Sequence, residues 1–141
     1  MEARVETRTQ VGAEIRAEVQ VCEDVRHSLV NLGTGEVLTG ELHVADSFGT
    51  RFVGLMGKKG MPTDEGLLLK HCASIHTFFV KFPIDVAYLD RRMTVVAIYQ
   101  GVRPWRMVTA VERGLHTLEM AAGAFESRGL KVGHRLECRA R

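Results

Sequence analysis

No stretch of the chain approaches the ~20 consecutive apolar residues that a helix needs to cross a bilayer, so membrane insertion is not expected. Charge of one sign is missing too. Nineteen Lys and Arg stand against 17 Asp and Glu, a net +2, too mild to draw nucleic acid on charge alone. The three cysteines, Cys22, Cys72 and Cys138, are odd in number and lack any CxxC spacing. That suits reduced thiols in a cytosol better than a disulfide framework. The opening MEARVETRTQ alternates charges where a secretory leader has a basic start and an apolar run, so a soluble cytoplasmic protein is expected. Nothing repeats and nothing is low in complexity. A single tryptophan, Trp105, lies between Arg103–Pro104 and Arg106. One ring and two cations fall short of the stacked rings and basic groove of a single-strand or RNA binder.

What is present describes one ordinary domain. The 141 residues are 45% hydrophobic and 26% charged, enough to bury a core without staples. Residues 1–26 differ from the rest, with mixed charges and few large apolar groups, and read as a flexible charged arm. Residues 27–141 read as the folded unit. Within the arm, Ile15, Val19 and Cys22 fall on one face of a potential helix.

The body opens with two extended segments around Gly33-Thr34-Gly35, a hairpin pattern. No Gly-Lys-Ser/Thr follows these glycines, which argues against a phosphate loop. Next, Asp46 or Ser47 can cap a helix carrying Phe48, Phe52, Leu55 and Met56 on one face. Gly57, Lys58, Lys59, Gly60 and Pro62 suit its end. GLLLKHC, IHTFFVKF, IDVAYLD, MTVVAIYQ, LHTLEMA and HRLECRA then have strand lengths, with Asp90-Arg91-Arg92 at hairpin distance between two of them. AGAFESRGLKVGH reads as a short helical turn ended by Gly129. The pattern predicts a mainly β (α+β) fold: a compact β-sandwich or partly open barrel with one packed α-helix near residues 46–57.

The segment Ile75–Asp90 sets polar groups among apolar, β-prone residues. Buried polar groups left unmet cost about 1–3 kcal/mol each, so these are either networked or facing a pocket. Asp85 follows Pro83-Ile84 and needs a partner, with Arg51, Thr77 and His76 as candidates. Arg51 has two uses open to it, a bidentate pair with Asp85 or a clamp for an anionic ligand. Asp90 reads as a turn residue accepting backbone N–H bonds. His71, His76 and His116, with Cys72, Asp85 or Glu119, match no zinc spacing, and no metal or cofactor is expected. Cys72 reads as a small buried hydrophobe in preference to a thiol nucleophile. If His116, Leu118 and Met120 share one sheet face, Thr117 and Glu119 share the other, so Glu119 either points to solvent or meets the His76–Asp85 region across the sheet.

The motifs ADSFGTRFVGLMGKKGM, GLLLKHC, IHTFFVKFPIDVAYLD, MTVVAI and HTLEMAAGAFESRGLKVGHRLE, with the proline of RPW between the last two, resemble in order and spacing the family called domain of unknown function 192. The resemblance runs from about Leu42 to Glu137. It implies a compact, mainly β domain with one packed helix, and it brings no established activity. Many members carry Trp-Met-Lys-Asn-Thr ahead of the Pro-x-Asp, where this chain has the run from His76 to Phe82.

The leading functional expectation is a module binding a small molecule or protein partner, its pocket lined by Arg51, His76, Thr77, Phe79, Asp85 and Glu119. One alternative is a hydrolase or metal-assisted enzyme using His76 with Asp85 or Glu119. Another is an accessory protein of a cell-envelope or secretion apparatus, acting through the Trp105 loop and the arm. No nucleic acid partner is expected, and the sequence does not fix the oligomeric state.

Overall fold

A computed structural model describes residues 27–45, 58–78, 80–109 and 113–140. The arm at 1–26, the helix expected over 46–57, and the candidate residues Arg51 and Phe79 lie outside them. The described strands are β1 (His27–Asn31), β2 (Val37–Ala45), β3 (Glu65–Leu69), β4 (Ser74–His76), β5 (Ile84–Leu89), β6 (Val95–Val102), β7 (Met107–Thr109), β8 (His116–Ala121) and β9 (Leu136–Ala140). A single turn of helix, α1 (Ala124–Ser127), follows β8.

Seven strands form one sheet in the order β6-β5-β8-β3-β2-β1-β9, and β4 pairs with β7 in a second, small sheet. All neighbours are antiparallel except β2 and β3. That parallel pair requires a crossover, and residues 46–64 supply its length. The expected β1–β2 hairpin is present, with Gly35 at φ 81° in its turn, a value that suits glycine. The two edges of the large sheet approach each other at one end. Val95 donates its N–H to the His134 carbonyl at 2.9 Å and Leu136 to that of Met93 at 2.9 Å. The sheet thus rolls without closing into a barrel, and the mainly β fold holds.

Rolling gives the sheet an inner and an outer face, and strand alternation sorts the side chains between them. Leu29, Leu38, Leu42, Leu68, Ala87, Leu89, Leu118, Met120, Phe125 and Leu136 pack inside. Leu67, Leu69, Ile84, Val86 and Tyr88 form the outer layer with Ile75 of β4, Val80 and Val108 of β7. The small sheet therefore lies on the outer face. The phenol of Tyr88 fastens it there, donating to the Val108 carbonyl at 2.5 Å.

One element differs from its sequence reading. IHTFFVKF does not continue as a strand: β4 stops at His76 because Thr77 turns its backbone and hydroxyl to the loop 103–106. The pattern also concealed β7, whose three residues give too short a run to register as a strand.

Candidate ligand-binding site

β5 and β8 are neighbours, and their register decides which face each candidate carboxylate meets. Asp85 lies opposite Met120, and Val86 lies opposite Glu119. Directly opposed residues share a face. Asp85 therefore belongs to the inner face with Met120, and Glu119 to the outer face with Val86. The sheet itself separates the two acids.

Asp85 is fully buried, and three backbone amides meet its carboxylate. Oδ1 accepts from Gly101 at 2.8 Å, and Oδ2 from Gly123 at 3.0 Å and Phe125 at 3.1 Å. Gly101 and Gly123 have φ of 62° and 91°, the left-handed region in which glycine carries no steric cost. Asp85 thus pins the end of β6 and the start of α1 at one rim of the roll. Among the described residues its partners are backbone donors, which no side-chain pattern in the sequence marks.

Thr77 is also fully buried, and it acts as a clamp. Its hydroxyl donates to the Arg103 carbonyl at 2.7 Å and accepts from the Arg106 N–H at 2.8 Å. Its backbone N–H donates to the Arg106 carbonyl, and its own carbonyl accepts from the Trp105 N–H. Held this way, Trp105 adopts φ 63°, an outlier for a bulky residue, and its side chain is 58% exposed. Its ring stacks on Phe78 at 5.4 Å, and Phe78 stacks on His76 at 5.0 Å. The Nδ1 of His76 accepts from the Phe78 N–H at 3.3 Å. Among the described residues no hydrogen bond joins His76 to Asp85 or Glu119.

Glu119 is the polar residue of the outer layer without such support. It is 5% exposed, sits between Val86 of β5 and Leu67 of β3, and its carboxyl makes no hydrogen bond among the described residues. Burial pushes it up to about 8, so the acid is largely protonated at neutral pH. Tyr88 is held well above the usual phenol range, first by burial and then by the nearby charges of Cys72 and Glu119. Thr117, on the same face of β8, donates to the Cys72 carbonyl at 2.6 Å. Cys72 and Cys138 are free thiols.

The structure thus sets Glu119 on the face that β4 and the His76–Thr77 turn cover, and sets Asp85 on the other. Among the described residues no three His, Cys, Asp or Glu side chains converge as metal ligands. The rings of His71 and His116 meet edge to face at 5.2 Å, and the His116 Nδ1 accepts from the His71 N–H.

This arrangement of strands recurs in other proteins. The family model described as Uncharacterized ACR, DUF192, matches residues 30–138. The chain belongs to the DUF192 family. Similar DUF192 relatives include UPF0127 protein PH1112 of Pyrococcus horikoshii, 35% identical over 101 residues, covering 70% of this chain and 87% of the relative. A UPF0127 protein of Thermococcus sibiricus is 31% identical over 117 residues, covering 77% and 73% respectively. Two crystal structures share the DUF192 fold of this chain. A putative transcription regulator from Sinorhizobium meliloti 1021 superposes with a TM-score of 0.71 at 22% identity, over 81% of this chain and 92% of that one. A protein of unknown function from Novosphingobium aromaticivorans superposes at 0.68 and 19% identity, over 79% and 82%. DUF192 is an uncharacterised family, and these likenesses carry fold without activity.

Proposed function

We propose that this DUF192 chain is a small-ligand-binding module whose site lies on the outer face of the rolled sheet, with Glu119 as its polar recognition group. One observation carries the reading: Glu119 is a residue 5% exposed, set between Leu67 and Val86, whose carboxyl makes no hydrogen bond among the described residues. An unmet buried acid costs stability, and a ligand that completes it recovers that cost. Because burial alone raises Glu119, a basic head group is the matching chemistry. An amine takes the proton and leaves a desolvated carboxylate–ammonium pair, while the surrounding apolar side chains hold the ligand body. Of the other expected pocket residues, His76 and Thr77 lie on the turn that covers this face and are proposed to border the site, while Arg51 and Phe79 lie outside the described residues. Asp85 serves the site by fixing the rim of the sheet.

The folded unit in this proposal is 27–141, and the segment 1–26, expected to be an arm, lies outside the described residues. A cytoplasmic setting agrees with the free thiols Cys72 and Cys138. No helix among the described residues is long and apolar enough to cross a membrane.

Benzylamine, benzamide and benzoate supply one apolar ring with three different heads, and amide chemical-shift titration follows them. Benzylamine is expected to shift the amides of Glu119, Val86 and Leu67 saturably, benzoate not at all. Glu119→Gln is expected to abolish the amine's effect while keeping the fold. If none of the three probes perturbs these amides, the outer face is a structural layer and the proposal fails.

A further inference from the structure

A second site of opposite chemistry lies at the far end of β8. The turn joining β5 to β6 and the segment leading into β8 border an open, shallow cavity of about 430 Å3, lined among the described residues by Asp90, Arg91, Arg92, Arg113, Gly114 and Leu115. This volume is in the range of small-molecule pockets. Half of its described lining residues are arginines, and all three are exposed. Among the described residues none of the three is in an ion pair. The acid on the wall, Asp90, has its Oδ1 taken by the N–H groups of Arg92 at 2.8 Å and Thr94 at 2.9 Å.

Backbone hydrogen bonds tie the described part of each wall to the sheet. Asp90 donates its N–H to the Thr94 carbonyl, Met93 donates to that of Asp90, and Leu115 donates to that of Leu89 at 2.8 Å. Met93 and Arg113 adopt φ of 66° and 80°, values that side chains other than glycine rarely take. Such backbone persists only where its surroundings hold it, and it collects at functional sites. A fourth cation joins the frame: Arg135 Nε donates to the Arg92 carbonyl at 3.1 Å. Behind the cavity, His116 is held below the usual histidine range by burial first, then by the charges of His71 and Lys70. This end of the molecule is electropositive.

We propose that this cavity binds a small, multiply charged phosphate anion through Arg91, Arg92 and Arg113. Among the described lining residues three guanidiniums stand against one carboxylate, which favours a ligand with two or more negative charges over a simple carboxylate. The planar fork of each guanidinium matches pairs of phosphate oxygens. A cavity confined to one turn and one loop selects a compact anion over an extended polymer. The site shares no lining residue with the surroundings of Glu119.

Calorimetric titration of the full chain with inorganic pyrophosphate, ADP and adenosine tests the proposal. Pyrophosphate and ADP are expected to bind with one-to-one stoichiometry and comparable affinity, and adenosine not to bind. Arg113→Gln and Arg91→Gln are each expected to weaken pyrophosphate binding about tenfold, while Arg139→Gln, an exposed arginine paired with Glu137 elsewhere, leaves it unchanged. The substituted side chains are on the surface, and unchanged melting temperatures verify that the variants are folded. Absence of saturable pyrophosphate binding overturns the proposal, as does equal weakening by Arg139→Gln. Adenosine binding as tightly as ADP overturns phosphate recognition. A 20-nucleotide DNA strand that binds while pyrophosphate does not assigns the arginines to a polymer surface and also overturns it.

Discussion

Glu119, Asp85 and Thr77 are three buried polar residues that solve the same problem in different ways. Asp85 has three backbone donors. Replacing it with Ala leaves those amides without an acceptor, and the expected loss is roughly 3–5 kcal/mol in denaturant unfolding. A loss below about 1 kcal/mol contradicts the role assigned to it. Thr77→Val removes the hydroxyl bonds to Arg103 and Arg106 and is expected to cost about 1–3 kcal/mol. Because Trp105 is the sole tryptophan, its fluorescence reports directly on the clamp, and lower anisotropy is expected in the variant. Thr77→Ser, which keeps the hydroxyl, is expected to restore it. Glu119 has neither kind of support, and the consequence depends on pH. Its folded value, about 8, lies above the ordinary carboxyl range, so the folded chain holds a proton that the unfolded chain releases. Stability therefore falls as pH rises from about 4.5 to 8, is lost no further above 8, and the total is on the order of 5 kcal/mol. Glu119→Gln cannot ionise. Its stability relative to the parent is expected to improve steadily over this window, measured by urea unfolding at pH 5, 6.5 and 8. A constant difference across the three contradicts burial of the acid.

At the scale of elements, the sequence was legible wherever a period was long enough to read. The alternation in LHTLEMA separates Glu119 and Thr117 from Leu118 and Met120, and the structure agrees. IDVAYLD is buried on both faces, so its pattern carries length without direction and does not show which face Asp85 takes. Register resolves this: the pairing of Val86 with Glu119 puts the two acids on different sides. The partners of Asp85 were hidden for another reason. They are backbone amides at Gly101, Gly123 and Phe125, distant in sequence, and no side-chain pattern marks a donor of that kind. The turn role of Asp90 was readable because it is local, between residues that follow one another. The cavity beside it was not, because Arg113 reaches Arg91 and Arg92 only through the β5–β8 pairing.

For the whole molecule, the rolled sheet explains how one small chain offers two kinds of surface. Rolling brings β6 toward β9, so the seam uses backbone groups that two exposed edges would leave open to other chains. The amides of Val95, Gly133 and Leu136 all donate across this seam. They are expected to exchange hydrogen as slowly as amides in the centre of β8, and rapid exchange at all three shows an open sheet. Among the described residues the packing inside the roll is apolar apart from groups at its ends. The outer face carries the small sheet, the clamped Trp105 loop and Glu119, and the basic cavity sits at the strand ends. A mainly β domain was legible from strand lengths and turns, since these are local. The division into inner and outer faces was not, since it depends on which strands become neighbours.

The central claim is that Glu119 is a buried, protonated acid awaiting a basic partner. Carbon-13 NMR of its side-chain carboxyl, titrated from pH 4 to 10 with and without saturating benzylamine, tests this most directly. The predicted result is an inflection at about 8 in the free protein, displaced to lower pH by the amine because the ammonium group favours the carboxylate. An inflection in the ordinary carboxylate range, or one that benzylamine leaves in place, contradicts the account.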